Sequence, residues 1–431
     1  MGRYSNSRKL LISLLYTLFI NVCTFLVSCA RGVKTIHFEQ MTVSYRLKYI
    51  GVSLVFGLFF GAILLLPKSV AHNSKQRNYE LDFLKLFFSI CIWIRHTELF
   101  KIGNENDVSW FRLGGGIPVH FFFIISGMLM ANSILNKKEV NVAESGKLAV
   151  RFVINKIKTL AWDVYAALFI FVMVYIFTIP GERVVGELVK VVPELLFVTR
   201  AGIDIIYNGA GWYLSAMFLC MLPIAYLLYQ NRDFTLYIFA PLVSVFTLGY
   251  FCQITDYSLP VLDTMYGPFM GSIYRAVCGL CFGICAYNMY ICLYRASINK
   301  NMRILLTVTE IFLYGVFFGT WFGIRDNKAI MAVILLLPIA IAITFSGKSY
   351  IVRLFQFDWM KYFAPISLAI YLNHWIGRVL VRKYFAGYSY GFCVLMMAAF
   401  TLCSCVLSAR VKKVGRFIWH TKAKTALFDC E

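Results

Sequence analysis

Apolar residues occur along this chain in long blocks, separated by short polar or basic stretches. A helix needs about 20 mainly apolar residues to cross a bilayer. Twelve blocks meet this requirement, at residues 9–29, 49–66, 83–101, 117–136, 160–179, 211–229, 234–252, 271–292, 303–323, 328–345, 362–381 and 389–409. The pattern predicts an all-α polytopic membrane protein with about twelve transmembrane helices. A further apolar run at 188–198 is too short to span and predicts a re-entrant or interfacial segment.

Composition supports a membrane protein over a soluble one. Of the 431 residues, 60% are hydrophobic and only 15% are charged, whereas soluble domains carry about 25% charged residues. The net charge of +21 therefore indicates cytoplasmic loops facing anionic lipid, and no nucleic acid. Most of the 13 cysteines stand in apolar runs without metal-site spacing, so we read them as small core residues and expect no metal.

The distribution of lysine and arginine predicts the orientation. Basic residues concentrate between the fourth and fifth spans, between the eighth and ninth, and in the C-terminal tail. With twelve spans these segments share one side, which is the cytoplasm by the positive-inside rule, so both termini are expected there. The stretches 30–48 and 378–388 are also basic and disagree with this assignment. The first apolar run lacks a clear cleavage site and is read as a span instead of a signal peptide.

The third predicted span carries an ionisable stripe. Lys85 and His96 are eleven positions apart, which places them within about 20° on one helix face and about 16 Å apart along the axis. Asp82 and Ser89 fall near the same face. A charge in the middle of a membrane helix costs about 2.5–3.5 kcal/mol, so such a stripe usually faces a protein interior or a watery path. In the predicted orientation Lys85 lies at the cytoplasmic edge and His96 in the outer half.

Several short motifs surround this stripe in a fixed order. They are the Lys85-x10-His96 pair with RNYELD and Arg77 before it, PVHFFFIISGMLM at 118–130, GWYLSAMF at 211–218, RAVCGLCFGI from Arg275, and ISLAIYLNHW at 366–375. Together they resemble the acyltransferase-3 family, the inner-membrane O-acyltransferases. The basic segment RFVINKIKTLAWDVY at 151–165 departs from the family pattern, because its arginine pairs are reduced and its proline is absent.

The resemblance implies a ten-helix acyltransferase-3-like core at 71–410, preceded by a two-helix N-terminal extension at 1–70 and followed by a basic cytoplasmic tail at 411–431. It implies an O-acyltransferase in the cell inner membrane. The donor would be acetyl-CoA or another acyl-CoA, and the acceptor a hydroxyl of a cell-surface polysaccharide or a lipid-linked glycan. His96 would act as general base, since a neutral imidazole accepts the proton of a hydroxyl that does not ionise by itself. The alternative is a buried histidine that packs against a neighbouring helix.

The resemblance also implies roles for other residues, each with a structural alternative. His374 is expected at the depth of His96, as a second catalytic residue or as a packed helix residue. Lys85 and Arg77 would contact coenzyme A phosphates, or Lys85 would pair with Asp82 at the membrane surface. Arg151, Lys156 and Lys158 would form a cradle for the coenzyme A phosphates, or they would only reflect the positive-inside bias. His120, Trp212 and Arg275 would line the pore, or they would be packing residues. Ser215 has the chemistry of an acyl carrier, and no oxyanion stabiliser is identified.

Two other functions remain open from the sequence. Twelve spans with both ends inside, and buried ionisable residues, also suit a transporter of a glycan or small solute. A carrier of that kind usually has two similar halves, and the ionisable spans of this chain show no such repeat. A non-catalytic partner in glycan export is the third possibility. The oligomeric state does not follow from the sequence.

Overall fold

The structure is a computed structural model that describes residues 78–97, 116–136, 141–179, 184–201, 208–323, 327–355 and 357–428. The first two predicted spans, at 9–29 and 49–66, lie outside the described residues, as does Arg77. The predicted boundary of the core at residue 71 therefore stays a prediction.

The described residues form an almost entirely helical protein. The helices are α1 (Tyr79–Thr97), α2 (Ile117–Leu135), α3 (Ser145–Ile176), α4 (Val184–Val189), α5 (Val192–Leu195), α6 (Gly211–Gln230), α7 (Arg232–Ile254, with a π-helical turn at Thr235–Phe239), α8 (Gly271–Arg295), α9 (Lys300–Gly323), α10 (Asn327–Ser346), α11 (Phe363–Tyr384) and α12 (Tyr390–Phe428). Short 3-10 helices occupy Val142–Glu144, Ile351–Phe355 and Asp358–Tyr362. Two short antiparallel strands, β1 (Met265–Tyr266) and β2 (Phe269–Met270), form a hairpin before α8.

The prediction of an all-α polytopic membrane protein is confirmed. Eight described helices are long and apolar enough to cross a membrane: Ile117–Leu135, Val142–Ile176, Gly211–Gln230, Arg232–Ile254, Gly271–Arg295, Lys300–Trp321, Asn327–Ser346 and Tyr390–Ile418. Each overlaps a predicted span. The spans predicted at 83–101 and 362–381 are the helices α1 and α11, which are long enough but more polar. The run at 188–198 forms no long helix and contains only the end of α4 and α5.

Helices α1 and α11 pack side by side in the same direction and in register. The Ser89 and Ser367 hydroxyls lie 2.7 Å apart, and the Ser367 hydroxyl also donates to the Lys85 carbonyl oxygen at 2.9 Å. Two helical turns further along both helices, His96 contacts His374. The charged side chains Asp82 in the first turn of α1 and Arg95 in its last turn suit the helix dipole. Because the two helices are in register, residues at the same depth of α1 and α11 lie next to each other.

Helices α2 and α8 approach each other closely through glycines. A methyl group on Gly127 would collide with the carbonyl of Leu280, and one on Gly283 would collide with the carbonyl of Ile124. Small residues at four-residue spacing allow helix backbones to meet inside a membrane, where packing replaces the hydrophobic effect as the driving force. The glycines of the RAVCGLCFGI motif thus place α2 against α8.

Aromatic rings fill the space between α1, α2 and α9. Phe88 stacks on Phe121 at 3.7 Å between ring centroids and lies 4.7 Å from Phe317. All three side chains are buried. This core holds the middle of α1 inside the bundle, so the polar residues of α1 are fixed relative to its neighbours.

The last helix, α12, contacts α1, α11 and the long helix α3. Near the end of α1, the Trp93 indole N–H donates to the Thr401 hydroxyl at 3.1 Å, and the hydroxyls of Thr97 and Tyr390 lie 2.7 Å apart. Lys412 forms an ion pair with Asp163 of α3. Helix α12 continues to Phe428, so the tail that we begin at residue 411 starts as a continuation of this helix.

Candidate active site

The two predicted catalytic histidines contact each other. The imidazole rings of His96 and His374 lie 4.9 Å apart between centroids, with an angle of 29° between their planes. The prediction that His374 lies at the depth of His96 agrees with this contact. Hydrogen bonds of an imidazole run in the ring plane, so stacked rings touch without passing a proton to each other. We call His96 and His374 the histidine pair.

His374 is held in one tautomer by its own helix. Its Nδ1 atom lies 2.6 Å from the Tyr371 carbonyl oxygen. A carbonyl oxygen only accepts, so Nδ1 carries the proton and donates it, which leaves Nε2 with a lone pair. The side chain is 1% exposed, and its Nε2 has no hydrogen-bond partner in the structure. The neighbouring Asn373 accepts a hydrogen bond from the Ser408 hydroxyl at 2.7 Å, which fixes the rotation of α11 against α12.

His96 is the more accessible member of the pair. Its side chain is half-buried, whereas His374 is buried. The Trp375 ring meets the His96 ring edge to face at 4.9 Å, and the Arg378 guanidinium carbon lies 4.0 Å from the centre of the Trp375 ring. The charges of Arg378 and Arg95 both act on His96. An incoming molecule would therefore reach His96 in a cationic and aromatic environment.

Two lysines lie near each other at the far end of the predicted stripe. The Lys85 ammonium is 3.4 Å from the Asp82 carboxylate. Lys156 of α3 is close enough to Lys85 for the two charges to repel each other, and both side chains are half-buried. We call this end of the α1–α11 pair the lysine end. Arg151 and Lys158 are exposed and are not shown to join it, and Arg77 lies outside the described residues.

The three predicted pore-lining residues come together in a separate cluster. Arg275 lies over the Trp212 ring at 5.1 Å and donates to the Gly116 carbonyl oxygen at 3.2 Å. Its charge also acts on His120. His120 is fully buried, and neither of its ring nitrogens has a hydrogen-bond partner in the structure. We call His120, Trp212 and Arg275 the His120 cluster.

Tyr371 connects the His120 cluster with the histidine pair. Its ring lies 6.0 Å from the His374 ring, and its hydroxyl donates to the Ala210 carbonyl oxygen at 2.9 Å. Tyr371 and Arg275 also interact electrostatically. The residues that the sequence suggested separately are therefore linked through the middle of α11.

Comparison with known proteins identifies the enzyme class. The family model described as "Acyltransferase domain", which defines the acyltransferase-3 family, matches residues 78–409. The chain belongs to the acyltransferase-3 family. The match begins at the start of α1 and extends into α12, so this acyltransferase domain contains the histidine pair, the lysine end and the His120 cluster. No curated protein and no solved structure matches the chain.

Some residues at the site of this acyltransferase were not singled out from the sequence. Tyr371 was read only as part of a motif, and Trp375 and Arg378 were not considered as site residues. Arg378 could have been found by the argument that identified Lys85, because it follows His374 by one helical turn inside a helix. The basic stretch 378–388 overlaps the predicted span 362–381, and because α11 continues to Tyr384, Arg378 belongs to the helix.

Two further sequence predictions concern an acyl carrier and a metal. The Ser215 hydroxyl is buried and donates to the Gly211 carbonyl oxygen at 3.2 Å within α6. This is the usual local bond of a helical serine, and it gives no sign of an activated nucleophile. Within the described ranges, no three His, Cys, Asp or Glu side chains are grouped so that they could hold a metal ion.

Proposed function

We propose that this acyltransferase moves an acyl group, of which acetyl is the expected case, from acyl-coenzyme A to a hydroxyl of a cell-surface polysaccharide or a lipid-linked glycan. The observation that supports the proposal is the histidine pair, which stacks at 4.9 Å on two parallel helices inside the family domain. The lysine end lies about 16 Å from His96 along α1. In acyl-coenzyme A the phosphates are distant from the thioester. A base at one depth of the protein and cations at another suit a donor of this shape.

The lysine end is the proposed site of the coenzyme A phosphates. The ammonium groups of Lys85 on α1 and Lys156 on α3 interact electrostatically, and the Asp82 carboxylate lies 3.4 Å from Lys85. Ammonium groups form charge-assisted hydrogen bonds to phosphate oxygens, and a bound phosphate would relieve the repulsion between the lysines. The fit of Lys85 and Lys156 is therefore better supported than that of the exposed Arg151 and Lys158.

His96 is the proposed general base, because it is the accessible histidine of the pair. It would take the proton of the acceptor hydroxyl while the oxygen attacks the thioester carbon. The carbon–sulfur bond then breaks, and the thiolate takes up the proton that His96 holds, so that the products are the ester and free coenzyme A. His374 would position the His96 ring by stacking. Because the Ser215 hydroxyl is already hydrogen-bonded, we propose direct transfer without an acyl-enzyme.

The proposed location is the bacterial inner membrane, with both termini in the cytoplasm. Positive-inside bias supports this orientation. The lysine end would then open to the cytoplasm, where acyl-coenzyme A is present, and the histidine pair would lie toward the outer side. The acceptor would reach His96 from that side.

The test is acyl transfer by the purified full-length protein in lipid nanodiscs, with radiolabelled acetyl-coenzyme A and glycan acceptors. We expect His96→Ala to lower kcat by about 10²–10⁴-fold, which is the usual contribution of a general base. Ser89→Ala is the matched control. It lies two turns earlier on the same face of α1, and Ser367 keeps its bond to the Lys85 carbonyl in that variant.

Full transfer by a folded His96→Ala protein would remove His96 as the base. Thermal unfolding of both variants shows whether they fold. If the unchanged protein labels no acceptor from acetyl-coenzyme A but dissipates a solute gradient across vesicles, the transporter alternative would replace the proposal.

A further inference from the structure

An arginine stands on the other side of the histidine pair from the lysine end. Arg378 follows His374 by four positions on α11, and its guanidinium carbon lies over the Trp375 ring, 4.0 Å from the ring centre. The side chain is half-buried, and its Nε atom is buried without a hydrogen-bond partner in the structure. This cation–π contact holds the guanidinium beside Trp375, the same ring that contacts His96.

Other cations accompany Arg378. Arg382 follows one turn later on α11, and the two guanidinium charges act on each other. In the ranges that the structure describes, neither Arg378 nor Arg382 forms an ion pair with a carboxylate. We call Arg378 and Arg382 the arginine end.

The helix dipole explains only part of this charge. Arg382 and Lys383 belong to the last turn of α11, where a positive charge is favourable. Arg378 stands before that turn, so the helix dipole stabilises its positive charge only slightly. A partly buried guanidinium without a counter-ion is costly inside a membrane protein, and such residues usually line a ligand path. The planar fork of arginine suits the two oxygens of a carboxylate or phosphate.

We propose that the arginine end binds an anionic group of the acceptor, a sugar carboxylate or a phosphate, and thereby holds the acceptor hydroxyl against His96. The inference rests on the proposed function, whose acceptor it assigns to the class of negatively charged glycans. The donor phosphates do not compete for this position, because Lys85 and Arg378 lie in opposite directions from the histidine pair along two parallel, in-register helices.

The test measures binding without acyl-coenzyme A, so it does not depend on transfer. Nanodiscs of phosphatidylcholine that contain the full-length protein are titrated with two matched pairs of probes. One pair is methyl glucuronoside and methyl glucoside, which differ in the carboxylate. The other pair is a short polyprenyl phosphate and its polyprenol, which differ in the phosphate. The variants are Arg378→Gln, Arg378→Lys and the control Arg353→Gln, in which another arginine stacked on an aromatic ring, Tyr350, is removed.

We expect the preferred anionic probe to bind the unchanged protein more tightly than its neutral counterpart. Arg378→Gln should weaken its binding by about tenfold to a hundredfold, the range of one charge-assisted contact. Arg378→Lys should bind the anionic probe more tightly than Arg378→Gln but less tightly than the unchanged protein, because lysine keeps the positive charge and lacks the planar guanidinium. Arg353→Gln should behave as the unchanged protein. If Arg378→Gln weakens binding of the glucuronoside, the site recognises a sugar carboxylate. If it weakens binding of the polyprenyl phosphate, the site recognises a carrier phosphate.

Three results would overturn the proposal. The first is that neither anionic probe binds the unchanged protein more tightly than its neutral partner. The second is that Arg378→Gln weakens both members of a pair equally, which would mean that the guanidinium does not recognise the charge. The third is that the variant changes only the binding of phosphatidylglycerol added to the nanodiscs, which would make the arginine end a site for lipid headgroups. Loss of transfer with intact anion binding would contradict the proposed function alone.

Discussion

Lys156 and Lys158 provide a sharp test of the proposed phosphate site, since they are two residues apart on one helix. Positions two apart on an α-helix point about 200° away from each other. In the structure Lys156 is half-buried and repels Lys85, whereas Lys158 is exposed. Replacing each lysine by glutamine removes the same charge from the same helix, so any difference between the variants reports the position of the side chain.

The expected size of the effect follows from the environment of Lys156. A hydrogen bond to a charged group contributes about 1.5–3 kcal/mol, and partial exposure to solvent reduces this to about 1–2 kcal/mol. At about 1.4 kcal/mol per factor of ten, Lys156→Gln should raise the KM for acyl-coenzyme A by about 5- to 30-fold. We expect kcat to stay the same, because Lys156 lies far from the histidine pair, and Lys158→Gln to leave KM unchanged.

The assay compares two donors, acetyl-coenzyme A and S-acetyl pantetheine, which lacks the nucleotide phosphates. If Lys156 binds a phosphate, the penalty of Lys156→Gln disappears with the phosphate-free donor. Equal increases in KM for Lys156→Gln and Lys158→Gln would refute the reasoning from helix faces. A penalty that persists with S-acetyl pantetheine would refute the assignment of Lys156 to the phosphates.

Two further predictions concern the histidine pair and the contact between α2 and α8. His374→Phe should keep activity within about twofold, because it preserves a flat ring beside His96. His374→Ala should lose about 2- to 13-fold, since a ring stack contributes about 0.5–1.5 kcal/mol. If both variants lose activity equally and by more than this in the transfer assay, His374 has a role in proton transfer. Gly283→Ala should lower the free energy of unfolding by about 1–3 kcal/mol because the new methyl group meets the backbone of α2, whereas Gly249→Ala, in the middle of α7 with open space around it, should be neutral or stabilising in the same denaturation assay.

The helices and the depth of the site could be predicted from the sequence, because both depend on counting along the chain. A block of about 20 apolar residues identifies a span, and the rise of a helix gives the depth of a residue within it. By this reasoning His374 was expected at the level of His96, and the stacked rings agree with it. The family motifs gave the reaction class, and the family match confirms it.

The direction of each side chain could not be predicted, because it depends on which helices pack together. Nothing in the sequence favours Lys156 over Arg151 or Lys158, and they differ only in the structure, where Lys156 is half-buried and interacts electrostatically with Lys85 while the other two are exposed. Arg378 was missed for a related reason. It lies in the predicted span 362–381 and also in the basic stretch 378–388, and the sequence does not show which helices its side chain faces within Phe363–Tyr384.

Among the long helices that the structure describes, the two that are too polar to count as spans, α1 and α11, hold the histidine pair. A charged residue in the middle of α1 or α11 would cost about 2.5–3.5 kcal/mol against lipid, so neither helix is suited to stand alone in a membrane. They pack against each other and against more apolar helices, α1 against α2 and α11 against α12, and in register they offer each other hydroxyls and ring faces at equal depths. The polar side chains that α1 and α11 turn towards each other are thereby kept from lipid, and we propose that the donor and the charged acceptor meet at the His96 end of this stripe.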